Sequence, residues 1–108
     1  MATGRVGTPT QLAATTNTTI YTVPSGYYSV FNVSLTNTSA TAVTIRLAVA
    51  STSTPGTAEW IEYDTTIVGK GVLERTGLVA GAGLNVVAYA SAGSAVNVNV
   101  FGIETSTT

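Results

Sequence analysis

Tyr27-Tyr28-Ser29-Val30-Phe31-Asn32-Val33-Ser34-Leu35-Thr36 is the stretch whose reading decides the fold. Phe31, Val33 and Leu35 fall on one side of an extended chain and Asn32, Ser34 and Thr36 on the other, the period-two pattern of a strand with one face turned inward. Downstream, Val43, Ile45, Leu47 and Val49 alternate in the same way with Thr44, Arg46 and Ala48. The linker Asn37 to Thr41 is of hairpin length, so these two strands are expected to pair antiparallel. Arg46 then lies on the polar side, available to a carboxylate across the sheet.

The pattern extends both ways from this pair. Upstream, Thr18 to Val23 is rich in β-branched residues and stops at Pro24-Ser25-Gly26, a turn in which Pro presets φ and Gly supplies positive φ. Downstream, Pro55-Gly56 breaks the chain before a strand over Glu59 to Asp64. Period two puts Glu59, Ile61 and Tyr63 on one side of that strand against Trp60, Glu62 and Asp64, so apolar residues occupy both faces. A short segment from Thr65 to Val68, the turn Gly69-Lys70-Gly71 and a strand over Val72 to Thr76 follow, with Gly77 as its stop. Leu84 to Ala90 is next, with Leu84, Val86 and Ala88 opposed to Val87 and Tyr89. Ser91 to Ser94 is expected to close a hairpin onto a last strand, in which Val96, Val98 and Val100 alternate with Asn97, Asn99 and Phe101. Seven or eight short strands without a helical period predict an antiparallel β-sandwich, of jelly-roll or immunoglobulin-like topology, over residues 18–104. Residues 1–17 lack a period and read as an extended arm that another surface would have to hold. Residues 105–108 read as a polar tail.

The 108 residues suit one domain. Only 8% are charged, against about 25% in a typical soluble domain. With a net charge of −1, little repulsion keeps copies apart, and self-association is expected. The N-terminal stretch lacks the apolar core of a signal peptide, and no run approaches the roughly 18 apolar residues of a membrane helix. A soluble protein made without export and without a membrane partner is expected.

Cysteine and histidine are both absent. Disulfides, thiolate metal sites and every nucleophile arrangement that uses Cys or His go with them. Glu62 and Asp64 on one strand face have the spacing a glycosidase needs, but neighbouring acids on a strand more often pair with cations such as Arg46, Lys70 or Arg75. Glu59, Glu62 and Asp64 are oxygen donors suited to calcium, without any calcium-loop spacing. Trp60 with Tyr63, Tyr27 and Tyr28 offers aromatic faces to a sugar. The alternative, that Trp60 fills an interface, carries more weight, because Trp, Tyr and Arg concentrate at interface hot spots. Four basic residues against five acidic ones make no phosphate-tracking patch, so nucleic acid is not an expected partner. No catalytic, metal or cofactor residues are assigned.

The segments Ala14 to Gly26, Asn32 to Asn37, Val43 to Ala50, Glu59 to Asp64, Val72 to Gly77 and Val98 to Glu104, taken in order, resemble small β-proteins encoded by tailed bacteriophages, including cyanophages. The resemblance spans nearly the whole chain. It implies a non-enzymatic virion structural protein, first of all a capsid decoration or cement protein that bridges neighbouring subunits. A tail, neck or baseplate accessory or fibre protein, with or without a glycan- or receptor-binding surface, is the alternative it leaves. The partners it implies are the major capsid protein or tail and neck proteins, together with further copies of the chain, a trimer being the working hypothesis. Arg5 in the arm and Trp60, Glu62, Tyr63, Asp64, Lys70, Glu74 and Arg75 are the expected interface residues.

Overall fold

The computed structural model describes residues 3–107 as a sandwich of two four-stranded antiparallel sheets. The strands are β1 (Thr3–Gln11), β2 (Thr18–Thr22), β3 (Tyr27–Asn37), β4 (Val43–Ala50), β5 (Trp60–Ile67), β6 (Val72–Ala80), β7 (Asn85–Ala90) and β8 (Val96–Ser106). A single 3-10 turn, Thr57–Glu59, precedes β5. One sheet has the order β1-β8-β3-β6 and the other β2-β7-β4-β5. The pairings are nested: β4 with β5, β3 with β6, β2 with β7 and β1 with β8. The chain is thus one long ribbon folded back at the β4–β5 connection and wound into two layers.

Alternation along each strand sets the core. Phe31, Val33 and Leu35 from β3 and Val96, Val98 and Val100 from β8 face Ile45, Leu47, Val86 and Ala88 of the other sheet, all buried in one cluster. Tyr21 meets Phe31 edge-on across the layers, with ring centroids 6.0 Å apart. Its hydroxyl donates to Glu104 Oε2 at 2.6 Å, tying β2 to β8 through the interior. Gly102 pairs with Phe31 in the ladder, where a β-carbon would lie 2.7 Å from Phe31 Cβ and closer still to the Val30 carbonyl. Only glycine fits that rung.

Three expectations about connectivity are corrected. β3 and β4 do not form a hairpin, and neither do β7 and β8; each pair is split between the sheets. A five-residue linker reaches about 16 Å, enough to cross the roughly 10 Å between stacked sheets, so linker length alone does not distinguish a hairpin from a crossover. Buried Asn37 makes the first crossover specific. Its Nδ2 donates to the carbonyls of Thr41 (2.9 Å), Ile67 (3.1 Å) and Val68 (3.2 Å), while its Oδ1 accepts from Ser39 N–H and Oγ–H. The end of β3 is thereby bonded to the end of β5 in the opposite layer. Gly77 does not end β6. At φ +70° it takes up an extra residue opposite Asn32, whose side-chain oxygen accepts the Gly77 N–H at 3.1 Å, and the strand continues to Ala80.

The third correction concerns the arm and tail. Thr3–Gln11 is an edge strand paired with β8 of the same chain, and Val6 and Leu12 are buried in the core. Two residues of a segment without any period suffice to dock it, because Gly4 and Gly7, both at positive φ, let the strand bend over the sheet edge. Met1 and Ala2 lie outside the described residues. At the other end β8 continues to Ser106, and Thr107 N–H donates to the Gly26 carbonyl at 2.9 Å. Thr108 lies outside the described residues.

Leu12→Ala should therefore destabilise the isolated chain by about 2–5 kcal/mol, read as a lower urea midpoint. A segment that served only as an arm would leave the midpoint unchanged. Burial, followed by the Glu104 hydrogen bond, pushes the Tyr21 phenol from 10.0 up to about 12. A raised folded pKa stabilises fully below the unfolded value, and that contribution is lost as the pH climbs through the folded one. Stability should fall between pH 10 and about 12, and Tyr21→Phe should flatten that limb of the melting-temperature profile.

Candidate functional site

Strand β5 carries the most distinctive surface because its ladder with β4 is interrupted twice. Leu47 pairs with Glu62 and Ile45 with Thr65, so Tyr63 and Asp64 together oppose the single residue Arg46. Ala48 pairs with Trp60, which leaves Ile61 as a second extra residue. Asp64 takes the left-handed conformation at φ 53°, which a short polar side chain tolerates better than most. These bulges overturn the simple alternation expected for Glu59 to Asp64. Trp60, Tyr63 and Asp64 all lie on the outer face, Ile61 packs on the core, and Glu62 turns toward the gap between the sheets.

On the outer face Arg46 is the hub. It donates from Nε to Asp64 Oδ1 at 2.7 Å and from Nη2 to Oδ2 at 3.3 Å. Its guanidinium carbon lies 4.1 Å from the centre of the Tyr63 ring and 4.5 Å from that of Tyr89, contributed by the flanking strands β5 and β7. Tyr63 meets Trp60 nearly at a right angle, with 71° between planes and 5.7 Å between centroids. Trp60 rests on Ala48, Ala50 and Val87, whose small side chains leave room for an indole on the sheet. Thr57, Trp60 and Tyr63 line an open cleft of about 430 Å³.

The second tie lies at the sandwich edge. Arg75 of β6 donates from Nη1 to the Ile61 carbonyl at 3.2 Å and to Glu62 Oε2, joining the two sheets along their open side. The Thr65 hydroxyl donates to Glu62 Oε1 at 2.7 Å. Glu59 accepts from Gly56 N–H at 2.8 Å and Ser51 N–H at 3.0 Å, which fixes the turn that walls the cleft. All three carboxyls titrate below the usual range: Asp64 through its bond from Arg46, Glu62 through Thr65 and then Arg75, Glu59 through the backbone of Gly56 and Ser51. None is held protonated near neutrality, as a general acid must be. Glu62 and Asp64 occupy different faces, and among the described residues no three acids gather as a metal-binding group.

The remaining expected residues lie elsewhere. Arg5 is paired with Phe101 on the outer face of the other sheet, where Glu74 is also found, opposite Ser34. Lys70, in the β5–β6 turn, donates from Nζ to the Thr38 carbonyl at 2.8 Å. The eight residues thus fall into four places rather than one surface. The four-aromatic platform also divides: Tyr27 packs on the core and Tyr28 lies on the far sheet.

That far sheet carries an apolar patch that the alternation did not single out. Val79, Val30 and Ile103 form one row across β6, β3 and β8, and Phe101 begins the next. Their exposures run from 43% for Phe101 to 65% for Val79. Asn32, Ser34, Asn97 and Asn99 continue the same face as a polar field. The signal in the sequence is Val30 and Phe101 standing at positions where the pattern calls for a polar residue.

No protein-family model, curated protein or solved structure matches the chain.

A group with a depressed folded pKa contributes stability above its unfolded value and loses it as the pH falls through the folded one. The melting temperature should therefore drop as the pH falls below the ordinary values of 4.5 for Glu and 3.8 for Asp. Asp64→Asn and Glu62→Gln should each lower it at pH 7, with the gap to wild type closing as the pH falls below those ordinary values. Gaps that stay constant across the profile would show that the ion pairs do not carry the effect.

Proposed function

We propose that this chain is a non-enzymatic structural protein of a tailed-phage virion, a capsid decoration or cement protein that works as a homo-oligomer and bridges neighbouring subunits. The nested pairing, with β1-β8-β3-β6 over β2-β7-β4-β5, supports the jelly-roll member of the two expected topologies. That architecture serves viral capsid domains among others. The observation that carries the reading is the exposed row Val79, Val30 and Ile103 with Phe101 beside it. A contiguous apolar patch rimmed by amides and hydroxyls is the usual mark of a protein contact.

The occupant we assign is a second copy of the chain. A net charge of −1 places no repulsive field between copies, and the polar rim supplies amides that can pair with their own kind. This replaces the arm as the joining element, since Thr3–Gln11 is already paired within its own sheet. The major capsid protein is the further partner in this reading, and a tail or neck position would use the same face.

Light-scattering mass at micromolar concentration should give a defined oligomer, a trimer on the working hypothesis. Val79→Lys and Ile103→Lys should each reduce it to the monomer mass with the β-sheet circular dichroism intact. A wild-type monomer, or a mass unmoved by both charges, would overturn this contact, and failure to join shells of the phage's major capsid protein would overturn the decoration role.

A further inference from the structure

The cleft on the opposite sheet is not used by that contact. We propose that the corner formed by Trp60, Tyr63 and Thr57, with Arg46 and Asp64 beside it, binds a sugar ring of an uncharged oligosaccharide. A pyranose has an apolar face of C–H groups and a rim of hydroxyls. Two ring faces at 71° offer such a molecule a floor and a wall, and a cleft of about 430 Å³ holds one or two sugar residues.

Charge decides between ligands. Arg46 is fully matched by Asp64, so the site has no spare cation for a phosphate or carboxylate and no spare anion for an amine. A paired guanidinium still presents N–H groups beyond the two that Asp64 takes, and the carboxylate, about half exposed, keeps lone pairs toward solvent. Donors and acceptors side by side on a neutral base suit vicinal hydroxyls. The bulge holds this set in place without a ligand: Tyr63 and Asp64 both reach Arg46 because two residues oppose one. Ordering cost on binding is correspondingly small.

Trp60 is the only tryptophan, so its fluorescence reports this cleft directly. The full chain is titrated with maltohexaose, cellohexaose, chitohexaose and mannohexaose, each to about 10 mM, ten times a millimolar Kd. A saturable change with at least one sugar is expected. Tyr63→Ala should weaken it at least about 10-fold and Arg46→Met comparably, each with an unchanged sheet spectrum. Val79→Lys, on the far sheet, should bind sugar like wild type, so failure of the assembly contact and failure of this site are separable. No saturable change with any of the four overturns the proposal. So does binding confined to a sulfated hexasaccharide, or a loss of oligomer mass in Tyr63→Ala without sugar binding in wild type, which would make the corner a protein contact.

Discussion

The ladder between β3 and β8 is what the remaining structure depends on. Each strand is eleven residues long, and they stay in register from Tyr27 opposite Ser106 to Asn37 opposite Val96. Its inner side supplies Phe31, Val33, Leu35, Val96, Val98 and Val100 to the core. Its flanks accept β6 and β1, and the nested pairing carries the chain from there into the second layer. A one-residue slip of either strand would turn its three core side chains outward, so burial fixes the register. Gly102 adds a steric reason, since the rung at Phe31 admits no β-carbon.

With the inner faces committed to each other, function is left to the outer faces and the edges. The edges are managed from within: Arg75 and Glu62 close one side, and Tyr21 with Glu104 tie the layers near the other. The two outer faces differ in kind. One has Val30, Val79, Ile103 and Phe101 beside amides, with Arg5 and Glu74 on its edge strands. The other has a neutral guanidinium–carboxylate pair set among aromatic rings. That difference arises from local backbone events, since β5 doubles its residues opposite Arg46 while β6 bulges at Gly77 to keep Val79 in line with Val30.

Alternation made the inner faces of β3, β4, β7 and β8 legible in the sequence, together with the sandwich they build. Arg46 was readable as a partner for an acid across the sheet, and Asp64 is that acid. Connectivity was not readable in the same way, because a five-residue linker serves a hairpin and a crossover equally, and the bonds from Asn37 that decide the matter reach residues 30 positions away. The arrangement on β5 was hidden for another reason: each bulge inverts the alternation, so Trp60 and Tyr63 share a face that period two denies them. The first strand was missed because its ladder with β8 leaves no mark in the sequence, and Val6 and Leu12 are the buried apolar side chains that the described residues before β2 supply among small polar ones. Tyr89 was placed correctly beside Val87, but nothing short of strand order shows that it flanks Arg46.

The central claim is that the two outer faces have separate tasks, with assembly on the β1-β8-β3-β6 sheet. Amide chemical shifts followed over a dilution series test this most directly. Changes confined to the neighbourhood of Val30, Val79, Phe101 and Ile103, with the Trp60 indole unmoved, are the predicted result. Changes centred on Trp60 and Tyr63, with the Val79 row silent, would contradict it.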